Sequence, residues 1–169
     1  MITKPDAVQL LRDATARFVA QCNLASSPQW NFRTKPGAWS MGDVAEHVAL
    51  ANRGILARLA KTLLGSRIDG RQPDIIDDEI PYLFYRGDEP PNVSTPTGAW
   101  TSWGEAKTTF EEGATALLKW VDEATLDLRA YGVPHPVFGL MDGMQWVLFA
   151  AAHTERHRAQ LIGLQRDTR

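Results

Sequence analysis

The chain has 169 residues, 44% hydrophobic and 22% charged, with a net charge of −2. That describes one soluble domain over residues 1–169, long enough to bury a core without disulfide or metal staples, with no general attraction for nucleic acid or an acidic membrane. A single cysteine, Cys22, excludes an intrachain disulfide or a site with several cysteine ligands, and a reducing, cytoplasmic setting is expected.

The opening MITKPDAVQLL has no basic stretch followed by an apolar run, and the longest uninterrupted apolar segment, Trp146–Ala152, has seven residues. Neither an export signal nor a membrane span is expected. The first helix is predicted over about Pro5–Asn23, where Ala7, Leu11, Ala14, Phe18 and Cys22 form one stripe and proline suits the first turn. A second begins at Ser40, with Asp43 three residues on. It continues through Val44, Val48, Ala51, Ile55 and Leu59 to about Leu64, with Gly65 as its C-cap. The third starts with a full capping box, Ser102 to Glu105, and carries Trp103, Ala106, Phe110, Leu117 and Val121 to about Leu128. A fourth starts near Asp142, with Gln145 three residues later, and keeps Trp146, Phe149, Ala150, Leu161 and Leu164 in register. Strand signals are nearly absent.

Residues 65–101 hold seven acidic residues and five prolines between helices two and three. A connection that long in a small domain is either a functional lid or a crossover joining parallel helices. Four helices with one long connection predict an all-α fold, a four-helix bundle.

The last helix contains HTERH, with His153 and His157 on core-facing steps of the apolar ladder; His47, between Val44 and Ala51, holds a similar step on helix two. His47 alone reads most simply as a hydrogen-bonded core residue. The pair differs, because two buried imidazoles one turn apart each cost about 1–3 kcal/mol if unpaired, and one divalent ion satisfies both. HTERH is not the HExxH of metalloproteases: Thr154 follows the first histidine, and Glu155 lies about 200° around the helix, facing solvent or a neighbouring arginine.

The stretches KPGAWSMGDVAEHVALANRG and HPVFGLMDGMQWVLFAAAHTERHRAQLIGL resemble the DinB/YfiT-like superfamily of bacterial metal-binding four-helix bundles. Trp39, Ser40, His47, His153, His157 and Gln160 match that family's marks: a Trp-Ser pair opening helix two, a histidine seven residues after the serine, and HxxxHxxQ on helix four. The resemblance implies a homodimer in which His47, His153 and His157 bind one divalent metal, zinc or nickel foremost, then iron or manganese, with water in the open positions. Relatives with known activities include transferases and isomerases using bacillithiol or mycothiol. The function expected is therefore addition of a low-molecular-weight thiol, of the bacillithiol, mycothiol or glutathione type, to a small-molecule electrophile. The alternatives are a metal-dependent hydrolase and a non-catalytic, metal-stabilised or small-molecule-binding protein.

Three neutral imidazoles leave coordination positions open, as catalytic rather than structural zinc sites do. Around them, Gln160 reads as a supporting hydrogen bonder or a surface amide, and Glu46 as solvent-facing, being turned about 100° from His47. Arg156 and Arg158 read as a charged face or an anion site, His135 as a turn residue near the end of the bundle, and Cys22 as a buried, unreactive thiol. Trp39, Trp100, Trp103 and Trp146 are expected to pack at helix beginnings.

Overall fold

Thr3 and Asp6 form a reciprocal capping box and Pro5 sits in the first turn, so helix α1 (Lys4–Asn23) starts where the sequence supplies partners for its free N–H groups. The computed structural model describes residues 2–62, 67–68, 70, 73–85 and 94–168. Within them follow a short α2 (Ser27–Asn31) and three long helices, α3 (Met41–Thr62), α4 (Trp103–Glu123) and α5 (Gly143–Asp167). The predicted end of helix two at Leu64 and its Gly65 cap lie outside the described residues.

Asp142 and Gln145 cap α5 reciprocally, and Asp43 accepts from both the backbone N–H (2.8 Å) and the hydroxyl (3.0 Å) of Ser40 at the start of α3. Only half of the expected box forms at α4. Ser102 accepts from the Glu105 N–H at 3.3 Å, but the Glu105 carboxylate turns to the Thr101 hydroxyl at 2.9 Å. The far end of α4 also differs from expectation, stopping at Glu123 rather than near Leu128. Lys4 explains the stop: its ammonium donates to the carbonyls of Asp122 and Ala124, both at 2.7 Å, satisfying helix-end acceptors that a further turn would otherwise have used. Leu128 is instead buried in a 3-10 turn, Leu128–Ala130.

Side-chain contacts fix the helix directions. Trp103 donates to Asn23 at 2.8 Å, joining the end of α1 to the start of α4, while Lys4 reaches the opposite end of α4, so the two run antiparallel. Arg58 lies over Trp146 and His47 meets His153, which makes α3 and α5 antiparallel. Arg17 pairs with Glu155, and Gln21 bonds Gln165 farther along both helices, so α1 and α5 run parallel. Gly42 abuts the Trp100 carbonyl just before α4, so α3 and α4 start at the same end and are parallel too. A chain leaving one helix for a parallel neighbour must travel back the length of the bundle. That is the reason for the long connection, whose middle is a 3-10 helix, Asp77–Tyr85.

Arg129 anchors that connection with a two-pronged contact to Asp77 (2.8 and 2.7 Å) and one to Asp142 (3.0 Å), tying the 3-10 helix to the start of α5. The Arg129 charge holds the Asp77 carboxyl below its ordinary value against the opposing effect of burial. Before α5 the chain forms a hairpin, β1 (Gly132–His135) with β2 (Gly139–Asp142), in which His135 faces Gly139 at a φ of 74°. The sequence signal for these strands is faint because each has four residues, with Gly and Pro in the first and no sustained alternation.

The α1 stripe of Ala7, Leu11, Ala14, Phe18 and Cys22 is fully buried as its spacing predicts. Phe18 stacks on Phe110 with centroids 5.1 Å apart, joining α1 to α4. Among the described residues no helix is long and apolar enough to cross a membrane.

Candidate metal centre

His47 lies two turns into α3, and His153 and His157 lie one turn apart in the middle of α5. The antiparallel packing of α3 on α5 brings the three together. Nε2 of His153 is 3.1 Å from Nε2 of His47 and 3.2 Å from Nε2 of His157. One ligand atom from each of the three residues lies within 4.8 Å of the others. Three nitrogens bound to one tetrahedral cation at about 2.0–2.1 Å would be separated by roughly 3.3 Å. The cluster already has nearly those dimensions.

Hydrogen bonds at the outer ring edges select the tautomers. Nδ1 of His47 donates to the Ser94 carbonyl at 2.7 Å, and Nδ1 of His157 donates to Oε1 of Gln160 at 2.8 Å. With its proton on Nδ1, each ring turns a bare Nε2 lone pair inward. Both lone pairs point at Nε2 of His153, where a single N–H could serve one of them well. A divalent cation serves all three nitrogens, so the donor set fits such an ion in charge state, tautomer and spacing.

Burial reinforces neutrality. It pushes His47 below the ordinary histidine value, and it pushes His157 down to about 3, with the neighbouring His47 charge adding to the effect. His153 is driven well below 6.5, first by burial and then by His157, His47 and the Arg156 guanidinium. Near neutral pH all three are therefore neutral, as histidine metal ligands must be.

Glu46 contradicts the expectation of a solvent-facing side chain. It is buried at 6% exposure and accepts from the Thr97 hydroxyl at 2.5 Å and the Gly98 N–H at 3.0 Å. The 100° offset from His47 turns it toward the end of the long connection rather than to water. Glu46 thus holds the segment whose Ser94 carbonyl orients His47. Glu155 pairs with Arg17 at 2.6 Å and Arg158 at 2.8 Å, so the two acids nearest the histidines in sequence are both committed to other partners.

Trp39 packs at the beginning of α3 as expected, and part of what it packs on is the histidine cluster. Its ring lies 4.8 Å from that of His47 and 6.5 Å from that of His157, against two members of the cluster. Trp103 and Trp146 instead donate to Asn23 and to the Val133 carbonyl. Trp100 contributes its backbone carbonyl, which accepts from Trp30 at 2.8 Å. Cys22 is fully buried and its thiol is pushed far up by burial, as an inert core thiol should be. Ser94 was not recognisable in sequence, because a carbonyl contact across 47 positions leaves no residue-type signature.

Residues 10–161 match the model of the family described as the DinB superfamily. Solved structures that share the fold include the following two. One is TT2238, described as a four-helix bundle protein, with a TM-score of 0.64 and 22% identity over 95% of this chain and 99% of that one. The other is YfiT from Bacillus subtilis, described as a probable metal-dependent hydrolase with an unusual four-helix bundle topology. Its TM-score is 0.66 and its identity 14%, over 99% of this chain and 90% of that one. No protein with a curated function matches the chain.

Proposed function

The chain belongs to the DinB superfamily, and from that premise we propose that it is a metal-dependent thiol S-transferase acting at His47, His153 and His157. The observation that carries the proposal is the convergence of three Nε2 atoms whose Nδ1 partners fix two of the rings in the ligating tautomer. A divalent cation held there supplies positive charge that favours the ionised form of a water or thiol in an open position. Zinc or nickel is the ion proposed, then iron or manganese, following the family resemblance; geometry and cellular supply decide among them as much as the three imidazoles do.

The protein's own part is to keep three imidazoles neutral and aim them at one point. Transfer of a thiol is favoured over hydrolysis because Glu46 and Glu155 are taken by other partners, so neither stands ready as a general base. A thiol, whose ordinary pKa is near 8.5, ionises with little help even before it meets the cation, whereas water reaches about 7 only when bound to it. The thiolate sulfur would attack an electrophilic carbon, forming a C–S bond as the leaving group departs with its electron pair, and the thiol proton passes to solvent.

The test uses a chloronitrobenzene with cysteine, glutathione or bacillithiol-type thiols. Conjugate and chloride should appear together only with metal and thiol both present, and should vanish in His153→Ala. Hydrolysis is the second reading, favoured by the description of YfiT as a probable metal-dependent hydrolase. Metal-dependent cleavage of nitrophenyl esters without thiol, and no conjugate with any thiol, would select it. A homodimer is part of the proposal, and sedimentation at micromolar concentration tests it.

A further inference from the structure

His135 makes an unusual set of contacts. Its Nδ1 accepts two backbone hydrogen bonds, from the N–H of Val137 at 3.1 Å and from the N–H of Phe138 at 3.2 Å. An accepting Nδ1 carries no proton, so the ring is neutral and its hydrogen sits on Nε2. Among the described residues that N–H has no hydrogen-bond acceptor. Burial, helped by the Arg58 charge, lowers the pKa of His135 to about 4, which agrees with a fixed neutral tautomer.

The half-buried ring sits in an aromatic corner. It stacks on Phe138 at 4.4 Å and 19°, and lies 5.1 Å from Trp146 and 5.0 Å from Phe149. The guanidinium of Arg58 lies 5.7 Å over Trp146, and Arg58 forms no ion pair among the described residues. The corner also adjoins the histidine cluster, since the Phe149 ring is 5.7 Å from His153. One phenyl ring therefore separates His135 from the nearest cluster member. Along α5, Trp146 and His153 are two turns apart, about 10 Å.

A neutral N–H donor and a guanidinium without an ion pair, both set against the largely buried rings of Trp146 and Phe149, together describe a site for a monoanion at an apolar corner. We propose that Arg58 and His135 form a subsite that binds the carboxylate end of the small molecule whose reacting atom lies at the three-histidine centre. The inference rests on the proposed function for its second half only; the anion site itself stands on Arg58, His135 and the three aromatic rings. A carboxylate fits better than a phosphate monoester, because the corner offers one positive charge and a single neutral donor, and a dianion would leave excess charge unmatched.

The test is done on metal-free protein, so that its failure is distinct from failure of the metal centre. Benzoate is titrated while the backbone amides of Val137 and Phe138 and the Nε–H of Arg58 are followed by nitrogen–proton NMR, with benzamide and inorganic phosphate as comparators. Saturable shifts at these three groups are expected with benzoate, and much weaker ones with benzamide or phosphate. Arg58→Gln, at an exposed position, and His135→Phe, which keeps the ring stack, should each weaken benzoate binding about tenfold. Any of three results overturns the proposal: no saturation with benzoate, equal binding in Arg58→Gln, or phosphate binding as tightly as benzoate. A separate zinc titration of the same samples reports on the histidine cluster; unchanged zinc affinity in both variants shows that the two sites are distinct.

Discussion

The Ser94 carbonyl accepts the Nδ1 proton of His47 at 2.7 Å, so a backbone atom at the end of the long connection selects the tautomer of a histidine in helix α3. The segment is held there by the residue before that histidine, since Glu46 accepts from Thr97 and Gly98. The connection is thus built into the candidate centre. Its end supplies an orienting group that three ligand residues alone could not.

Removing the Glu46 carboxylate releases that segment. Glu46→Ala should lower unfolding free energy by about 1–3 kcal/mol, the cost of two hydrogen bonds to a buried charged group. Metal affinity should fall by about tenfold or more as His47 loses its fixed orientation. Urea denaturation and competition against a chelator measure the two effects. Intact affinity in a destabilised variant would show that Ser94 stays in place without Glu46.

Gln160 separates the two effects. Its side chain bonds His157 at 2.8 Å from an exposed position on α5. Gln160→Ala should therefore reduce metal affinity about tenfold while shifting thermal stability of the metal-free protein little. A large loss of stability without loss of affinity would assign the residue a purely structural role.

Close approach of α3 to the strand of chain before α4 depends on Gly42. A Cβ there would collide with the Trp100 carbonyl oxygen and crowd Nε1 of Trp30 at 2.9 Å, disturbing the bond between those two groups. Gly42→Ala should cost about 1–3 kcal/mol through overpacking, despite the higher helix propensity of alanine. Thermal denaturation gives the sign, and a stabilised variant would mean that the two segments separate easily.

Acid should destabilise the metal-free protein in a defined window. His135 titrates near 4 and His157 near 3 in the fold, both lowered first by burial, against an ordinary value of 6.5. Between those limits the unfolded chain binds more protons than the native one, so stability rises with pH. It is complete above about pH 6.5 and is lost as pH falls toward 4 and then 3. Melting temperatures in a chelator from pH 8 to pH 4 should be flat at first and then decline. A flat profile throughout would contradict buried neutral imidazoles.

Much of the architecture is legible in the sequence because apolar spacing and caps act locally. The stripe from Ala7 to Cys22 and the Asp142–Gln145 cap appear where their residues place them. The inward faces of His47, His153 and His157 can be read from their spacing, whereas their meeting at one point is what the resemblance to the DinB/YfiT-like superfamily implies; the structure brings these residues together. What is not legible depends on partners distant in sequence. Glu46 is buried because Thr97 and Gly98 meet it, α4 ends early because Lys4 takes its last carbonyls, and the hairpin forms from strands too short to show a period. His135 has its tautomer fixed by turn amides that only the folded hairpin supplies.

The central claim is that His47, His153 and His157 surround one cation and leave positions open. X-ray absorption at the metal edge of zinc- or nickel-loaded, tag-free protein measures it most directly, with His47→Ala and His153→Ala alongside. The account predicts one ion per chain, three imidazole nitrogens at about 2.0–2.1 Å for zinc, and further light-atom ligands that added thiol replaces with sulfur. Fewer than three imidazoles around the ion, or a fourth protein ligand that no thiol displaces, would contradict it.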